Sequence, residues 1–231
     1  MKRKESGMNI KTLSITIAAG SLFATGAMAD YTGLTQDVSF NIDGTWTSRI
    51  YANFTAETDE LDAVYGDSNH TLLVTTSSAD GGAGEFFNGI GTGATAADNN
   101  DAFWSIYPSN EWDSMVSIGM THTNSGGSMS NIGIDFTDFN AGGDIVTNNG
   151  SWYSTPDQPN VLAGADLRVL LGQFTMFGLD SHVSGVLNLQ GKAGDFVTFQ
   201  ARDQIFDFAL PAPGALALLG LAGIASRRRR K

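Results

Sequence analysis

The middle of the chain alternates apolar and polar residues with a period of two. Val38-Ser39-Phe40-Asn41-Ile42, Ile50-Tyr51-Ala52-Asn53-Phe54, Val116-Ser117-Ile118-Gly119-Met120 and Ile132-Gly133-Ile134-Asp135-Phe136 all carry it. Val197-Thr198-Phe199 and Phe206-Asp207-Phe208 continue it. Successive side chains of a strand point to opposite faces, so this period means one buried face and one wet face. Asp43-Gly44, Gly66-Asp67, Asp80-Gly81-Gly82, Asn149-Gly150 and Gly191-Lys192-Ala193-Gly194 separate the runs. These residue types supply turns, by tolerating left-handed backbone or by bonding their own main chain. Many short strands with such punctuation predict an all-β fold, a single β-sandwich or jelly-roll-like domain over residues 30–209. Leu167, Leu170, Leu171 and Phe174 have helical spacing, but Gly164 and Gly172 weaken a helix there and a buried strand fits equally well. The glycine-rich stretch from Ala79 to Asn100 and the polar stretch from Thr121 to Ser130 read as loops. No internal repeat is evident, which argues against a solenoid.

A body of this length can bury a sizeable core without cross-links. It has none to use, because the chain contains no cysteine. Disulfides, thiolate nucleophiles, cysteine-bound zinc and iron–sulfur clusters are therefore excluded. Within 30–209 the basic residues are Arg49, Arg168, Lys192 and Arg202, against 23 acidic residues of which 19 are Asp, a balance of −19. A domain so charged repels nucleic acid and anionic membranes.

The two ends differ from the body. Met1-Lys2-Arg3-Lys4 and Lys11 precede an apolar run from Leu13, which closes on Ala27-Met28-Ala29. A basic region, a short apolar run and a small-x-small site make a secretory signal peptide over residues 1–29, with Ala27 and Ala29 at the signal peptidase site and Asp30 as the new terminus. Ser14, Thr16, Ser21 and Thr25 dilute the run, and it is shorter than the roughly 20 apolar residues of a spanning helix. Translation from Met8 would still leave Lys11 as a basic region.

Residues 210–231 hold Pro211-Ala212-Pro213-Gly214, then the apolar segment from Ala215 to Ala225, then Arg227, Arg228, Arg229, Arg230 and Lys231. At about 1.5 Å per residue, even the 16 residues from Pro211 to Ser226 make a helix of roughly 24 Å, against a hydrocarbon core of about 30 Å. Such a segment spans only with snorkelling arginines and a thinned bilayer. Its charges hold the tip in the cytoplasm while the signal peptide sends the body outward.

This tail resembles the PEP-CTERM sorting signal, a Pro-x-Pro motif followed by a short apolar helix and an arginine cluster. The sorting residues are Pro211, Ala212, Pro213 and Arg227 to Arg230; the usual middle residue of the motif is Glu, where this chain has Ala212. The resemblance implies transient membrane insertion through the tail, recognition by an exosortase-like sorting enzyme, and delivery to the cell surface or extracellular matrix alongside exopolysaccharide. It covers residues 211–231 and bears on routing alone. The body is similar, at Arg49–Phe54, Leu61–Gly66, Trp112–Gly119 and Gly185–Gly191, to an uncharacterised secreted β-rich domain that recurs upstream of such tails.

Motifs for chemistry are sparse. His70, His122 and His182 are far apart in sequence and form no helical metal pair. There is no Gly-x-Ser-x-Gly elbow. Gly89-Ile90-Gly91-Thr92-Gly93-Ala94 matches a relaxed dinucleotide fingerprint, but it lies in a Gly/Ala/Thr loop without the flanking strand and helix that motif needs. Carboxylates cluster at Asp59 and Asp62, at Asp98 and Asp101, and at Asp135 and Asp138. Calcium takes six to eight oxygens from such loops, so these six are the candidate calcium ligands; solvated acidic turns are the competing reading. Trp46 and Trp112 read as core, and Trp152-Tyr153 as an exposed platform for sugar stacking. The expected function is that of a non-catalytic surface or matrix protein. The alternatives are a carbohydrate-binding module, calcium-dependent or not, and a secreted hydrolase with paired carboxylates or a histidine in a cleft.

Overall fold

The computed structural model describes residues 15–17, 31–77, 84–178, 181–193 and 197–209. Ala27, Ala29 and the whole sorting tail from Pro211 lie outside them. Among the described residues no helix is long and apolar enough to cross a membrane.

The fold is all-β, with two antiparallel sheets. The first has the order β1 (Ile15–Ile17), β2 (Tyr31–Phe40), β3 (Trp46–Phe54), β10 (Arg168–Met176) and β6 (Met115–Val116). The second runs β7 (Ser130–Ile132), β9 (Gly150–Tyr153), β4 (Glu60–Gly66), β11 (His182–Ala193), β5 (Leu72–Ser77) and β8 (Ile145–Thr147), with β12 (Val197–Ala209) also paired to β11. The long strand β11 organises this second sheet. β12 follows one of its edges from end to end, while β5 and β4 share the other, at His182–Val186 and Asn188–Lys192. β1 consists of three residues of the predicted leader laid along β2, with Ile15 opposite Val38. Cleavage after Ala29 would remove it and make β2 the edge of the first sheet.

One apolar cluster fills the space between the sheets. Ile50, Ala52, Phe54, Val169, Leu171 and Phe174 come from the first sheet, and Leu61, Val64, Val74, Trp152, Val183, Leu187 and Leu189 from the second. Each Val, Leu, Ile or Phe among them contributes about 1.5–3 kcal/mol when fully buried. The helical spacing at Leu167–Phe174 belongs to strand β10. A bulge between Leu170 and Gly172 switches which parity faces inward, so Val169 and Leu171 are core before it, and Phe174 and Met176 after it.

The alternating runs fold as strands in part. Ile50, Ala52 and Phe54 are all buried, as the pattern predicts. Val38 is buried too, but Phe40 is 62% and Ile42 86% exposed, because the chain has by then passed the end of the sandwich. The run from Val116 to Met120 is strand only at its start. Gly119 adopts φ +67, and a Cβ there would lie 1.8 Å from the Asn160 carbonyl oxygen. The run from Ile132 to Phe136 breaks at Gly133, φ +71, which leaves Ile132 exposed while Ile134 and Phe136 pack on the core.

The predicted loop from Ala79 to Asn100 is tied down where it is described. Phe86 bridges Met176, and its ring packs on Phe139 and Phe174 at 5.5 Å each. The helices are short: 3-10 turns at Ala96–Asp98, Asp101–Phe103, Pro108–Trp112 and Pro159–Val161, and a single α-helical turn, α1 (Thr137–Asn140).

Candidate functional site

The three predicted carboxylate pairs serve the fold in different ways. Asp59 is buried and accepts the Ala56 amide at 3.0 Å, closing the turn into β4. Asp62, in β4, faces the pair formed by Glu60 and Lys192 at 3.1 Å. Burial raises the Asp62 carboxyl above its usual range, the Lys192 ammonium lowers it in part, and Glu60 raises it. Asp98 caps its own 3-10 turn, accepting the Thr95 hydroxyl at 2.7 Å and the Thr95 amide at 3.2 Å. Asp101 anchors the polar loop 121–129 by accepting Asn124 Nδ2 at 2.5 Å, with His122 Nε2 3.8 Å away.

Asp135 and Asp138 share one hollow of about 550 Å³, lined also by Ala141, Gly143, Asp144 and Val146. Asp144 escaped the sequence reading because it joins the other two only through the turn of α1 and the start of β8. The Thr137 hydroxyl and amide hold the Asp135 carboxyl below its usual range. Among the described residues no three of His, Asp or Glu are grouped closely enough to hold a metal ion.

The histidines are each beside a carboxylate. His70 Nδ1 lies 2.8 Å from Asp203, and His182 Nδ1 lies 3.1 Å from Asp207. The tryptophans reverse two expectations. Trp152 is buried, donating to the Ser117 carbonyl at 3.1 Å, and is no platform. It lies opposite Val64 on the inner face of β9, so the next residue, Tyr153, must point outward. Trp112 is half-buried rather than core, with its indole N–H on Asp43 at 2.8 Å.

Asp113 is fully buried, and desolvation pushes its carboxyl up to about 6. The Gly89 amide donates to one oxygen at 2.5 Å, and hydrogen bonding from Gly89, Thr92 and Ser114 offsets the desolvation in part; Oδ2 is buried with no hydrogen-bond partner of its own among the described residues.

The sequence reading missed where the four cations of the body sit. All are on the outer faces of the sheets. On the first, Arg168 bonds Asp37 at 2.8 Å and lies 3.9 Å over the Tyr51 ring, while Arg49 donates to Gln173 at 2.8 Å. One end of that face is covered, since Gln173 donates to the carbonyls of Glu111 and Asp113 at 3.2 and 2.8 Å.

The outer face of the second sheet is more open. Tyr153, Ala63, Gln190 and Gln200 form one row across β9, β4, β11 and β12. Tyr65 lies diagonal to Tyr153 on the same face, within reach of long side chains. Gln200 donates to Gln190 at 3.0 Å and accepts from Arg202 at 2.6 Å, and Arg202 donates to the Tyr65 hydroxyl at 3.2 Å. Two phenol rings, two amides and a guanidinium thus share one sheet face, with Glu60, Asp62 and Lys192 at its border.

Asn188 braces that face from within the sheet. Buried in β11, it donates to the Tyr65 and His70 carbonyls at 2.9 and 3.0 Å and accepts the Asp203 amide at 2.8 Å. It fills the break between β4 and β5 on one side and the β12 bulge on the other, where Asp203 takes φ 53. No protein-family model, curated protein or solved structure matches the chain.

Proposed function

We propose that the chain is an exported, non-catalytic surface or matrix protein, sorted by an exosortase-type enzyme, whose second sheet offers its outer face to polysaccharide. The order of features at the two ends supports the routing. The face of Tyr65, Tyr153, Gln190, Gln200 and Arg202 supports the binding and is the observation that carries it. Phenol rings stack on sugar faces, and side-chain amides and guanidinium exchange donors and acceptors with hydroxyls. A row of side chains across four strands suits an extended chain rather than a small molecule held in a cleft.

Within the all-β class we favour a jelly-roll-like sandwich, because the chain crosses between its sheets after β3, β5, β6, β9 and β10. A hydrolase reading finds less support. The carboxyl raised to about 6, Asp113, is sealed from solvent, and the histidines face surface carboxylates. The binding test is retention on immobilised exopolysaccharide. Tyr153→Ala with Gln200→Ala should weaken it about tenfold, or ~1.4 kcal/mol. Unchanged retention by the double variant would remove this face from the proposal.

A further inference from the structure

We infer that the end of the sandwich from which the tail departs rests on the lipid surface, using Phe40, Ile42 and Phe177 as its contact. This inference rests on the reading of residues 210–231 as a membrane-inserting tail. The strands fix which end that is. β12 finishes at Ala209 opposite His182, the first residue of β11. Only four residues, 178–181, separate His182 from Phe177, which directly follows β10. The last row of the first sheet, at the same end, is Phe40, Trp46 and Met176.

Three large apolar side chains lie bare there. Phe40 is 62%, Ile42 86% and Phe177 50% exposed. Phe40 and Ile42 sit at positions where the alternating pattern should have buried them. Phe40 covers Trp46 at 4.9 Å between centroids, and Phe177 touches the Phe87 ring at 6.0 Å. Trp112, half-exposed, hangs beside the same hairpin through its bond to Asp43. Aromatic side chains with a polar tip favour the membrane–water boundary.

The tail leaves little freedom. Five residues, 210–214, join β12 to the apolar segment, and extended they reach about 17 Å. The apolar segment is itself short: its 11 residues as a helix measure about 16 Å, about half the hydrocarbon thickness. A span that short draws its flanks toward the bilayer, and apolar groups on the body reduce the mismatch that polar ones would worsen. The lipid is zwitterionic, because a −19 body is repelled by an anionic surface.

The absence of cysteine permits a site-specific test. The tailed protein carrying Ile42→Cys, labelled with an environment-sensitive fluorophore, is reconstituted into phosphatidylcholine vesicles and floated. Val197→Cys, 61% exposed at the opposite end of β12, is the control. The expected result is flotation of both, with a blue shift and several-fold rise in emission at position 42 only. Phe40→Ser with Phe177→Ser should reduce that rise while flotation persists. Flotation with an aqueous signal at position 42 overturns the docking and leaves the tail reading intact. Failure to float overturns both. Equal responses at the two ends, or a concentration-dependent shift at position 42 before vesicles are added, also overturns it, the latter in favour of a dimer.

Discussion

Replacing Asn188 should damage the second sheet more than any exposed substitution. Asn188→Leu keeps the branched outline, slightly enlarged, but removes three hydrogen bonds, to the Tyr65 carbonyl, the His70 carbonyl and the Asp203 amide. Each bond contributes about 1 kcal/mol net, and each backbone group left buried without a partner costs about 1–3 kcal/mol. Water reaches the rim of the bulge, where Asp203 is exposed, so the lower part of that range applies and the loss comes to about 3–4 kcal/mol. For a domain of this size that lowers the melting temperature by about 10 °C. Urea unfolding of the wild-type and variant proteins measures it directly, with an unchanged m-value expected if the native fold persists. Asn188→Asp separates donors from acceptor. The introduced carboxylate can still accept from Asp203 but repels the two carbonyls, so its pKa in the folded state is raised. Its deficit should therefore shrink as the pH falls, when the protonated acid can donate again. A loss below about 1 kcal/mol for Asn188→Leu would refute the reasoning, by showing that the bulge and the β4–β5 break hold their shape without this side chain.

Asp113, with its carboxyl at about 6 in the folded protein and an ordinary acid value when unfolded, binds its proton more tightly when folded. The contribution of Asp113 to stability should rise by about 2–3 kcal/mol as the pH falls from 7.5 toward 4, and Asp113→Asn should remove that part of the profile. Urea midpoints measured across this range check both. Calcium and magnesium are compared at matched ionic strength: equal rises in melting temperature would leave the six candidate carboxylates as solvated acidic turns. A calcium-specific gain lost in Asp135→Asn with Asp138→Asn would instead assign the metal to the hollow they share. Intact-mass analysis of the surface form should find Asp30 at the N-terminus and residues 211–231 removed. Replacing Arg227 to Arg230 with Ser should leave the protein misrouted on cell fractionation.

Much of this protein is readable locally. Strand alternation depends on the backbone's own geometry, so the all-β class follows from runs such as Ile50 to Phe54 without reference to any partner strand. Turn residues act over two to four positions, and Asp43-Gly44 forms the β2–β3 hairpin turn that its composition predicts. The acidic balance and the order of features at both ends are likewise properties of the linear chain.

Other features depend on what each strand meets. A period of two gives two equivalent faces, and only packing chooses between them. Trp152 turns inward onto Val64 and Ser117, leaving Tyr153 to the surface, because β9 is seated beside β4 in one particular register. Phe40 and Ile42 are exposed because β2 outruns the sheet that would have covered them. The carboxylates tell the same story: neighbours in sequence, Asp59 and Asp62, go to separate partners, while Asp144 joins Asp135 and Asp138 across a turn. The sequence alone determined the fold class, the charge and the expected route out of the cell, because those rest on local backbone preference and on composition. The tertiary structure decided which face, which partner and which end, because burial and hydrogen bonding are set by residues distant in the chain, as Asn188 is from His70.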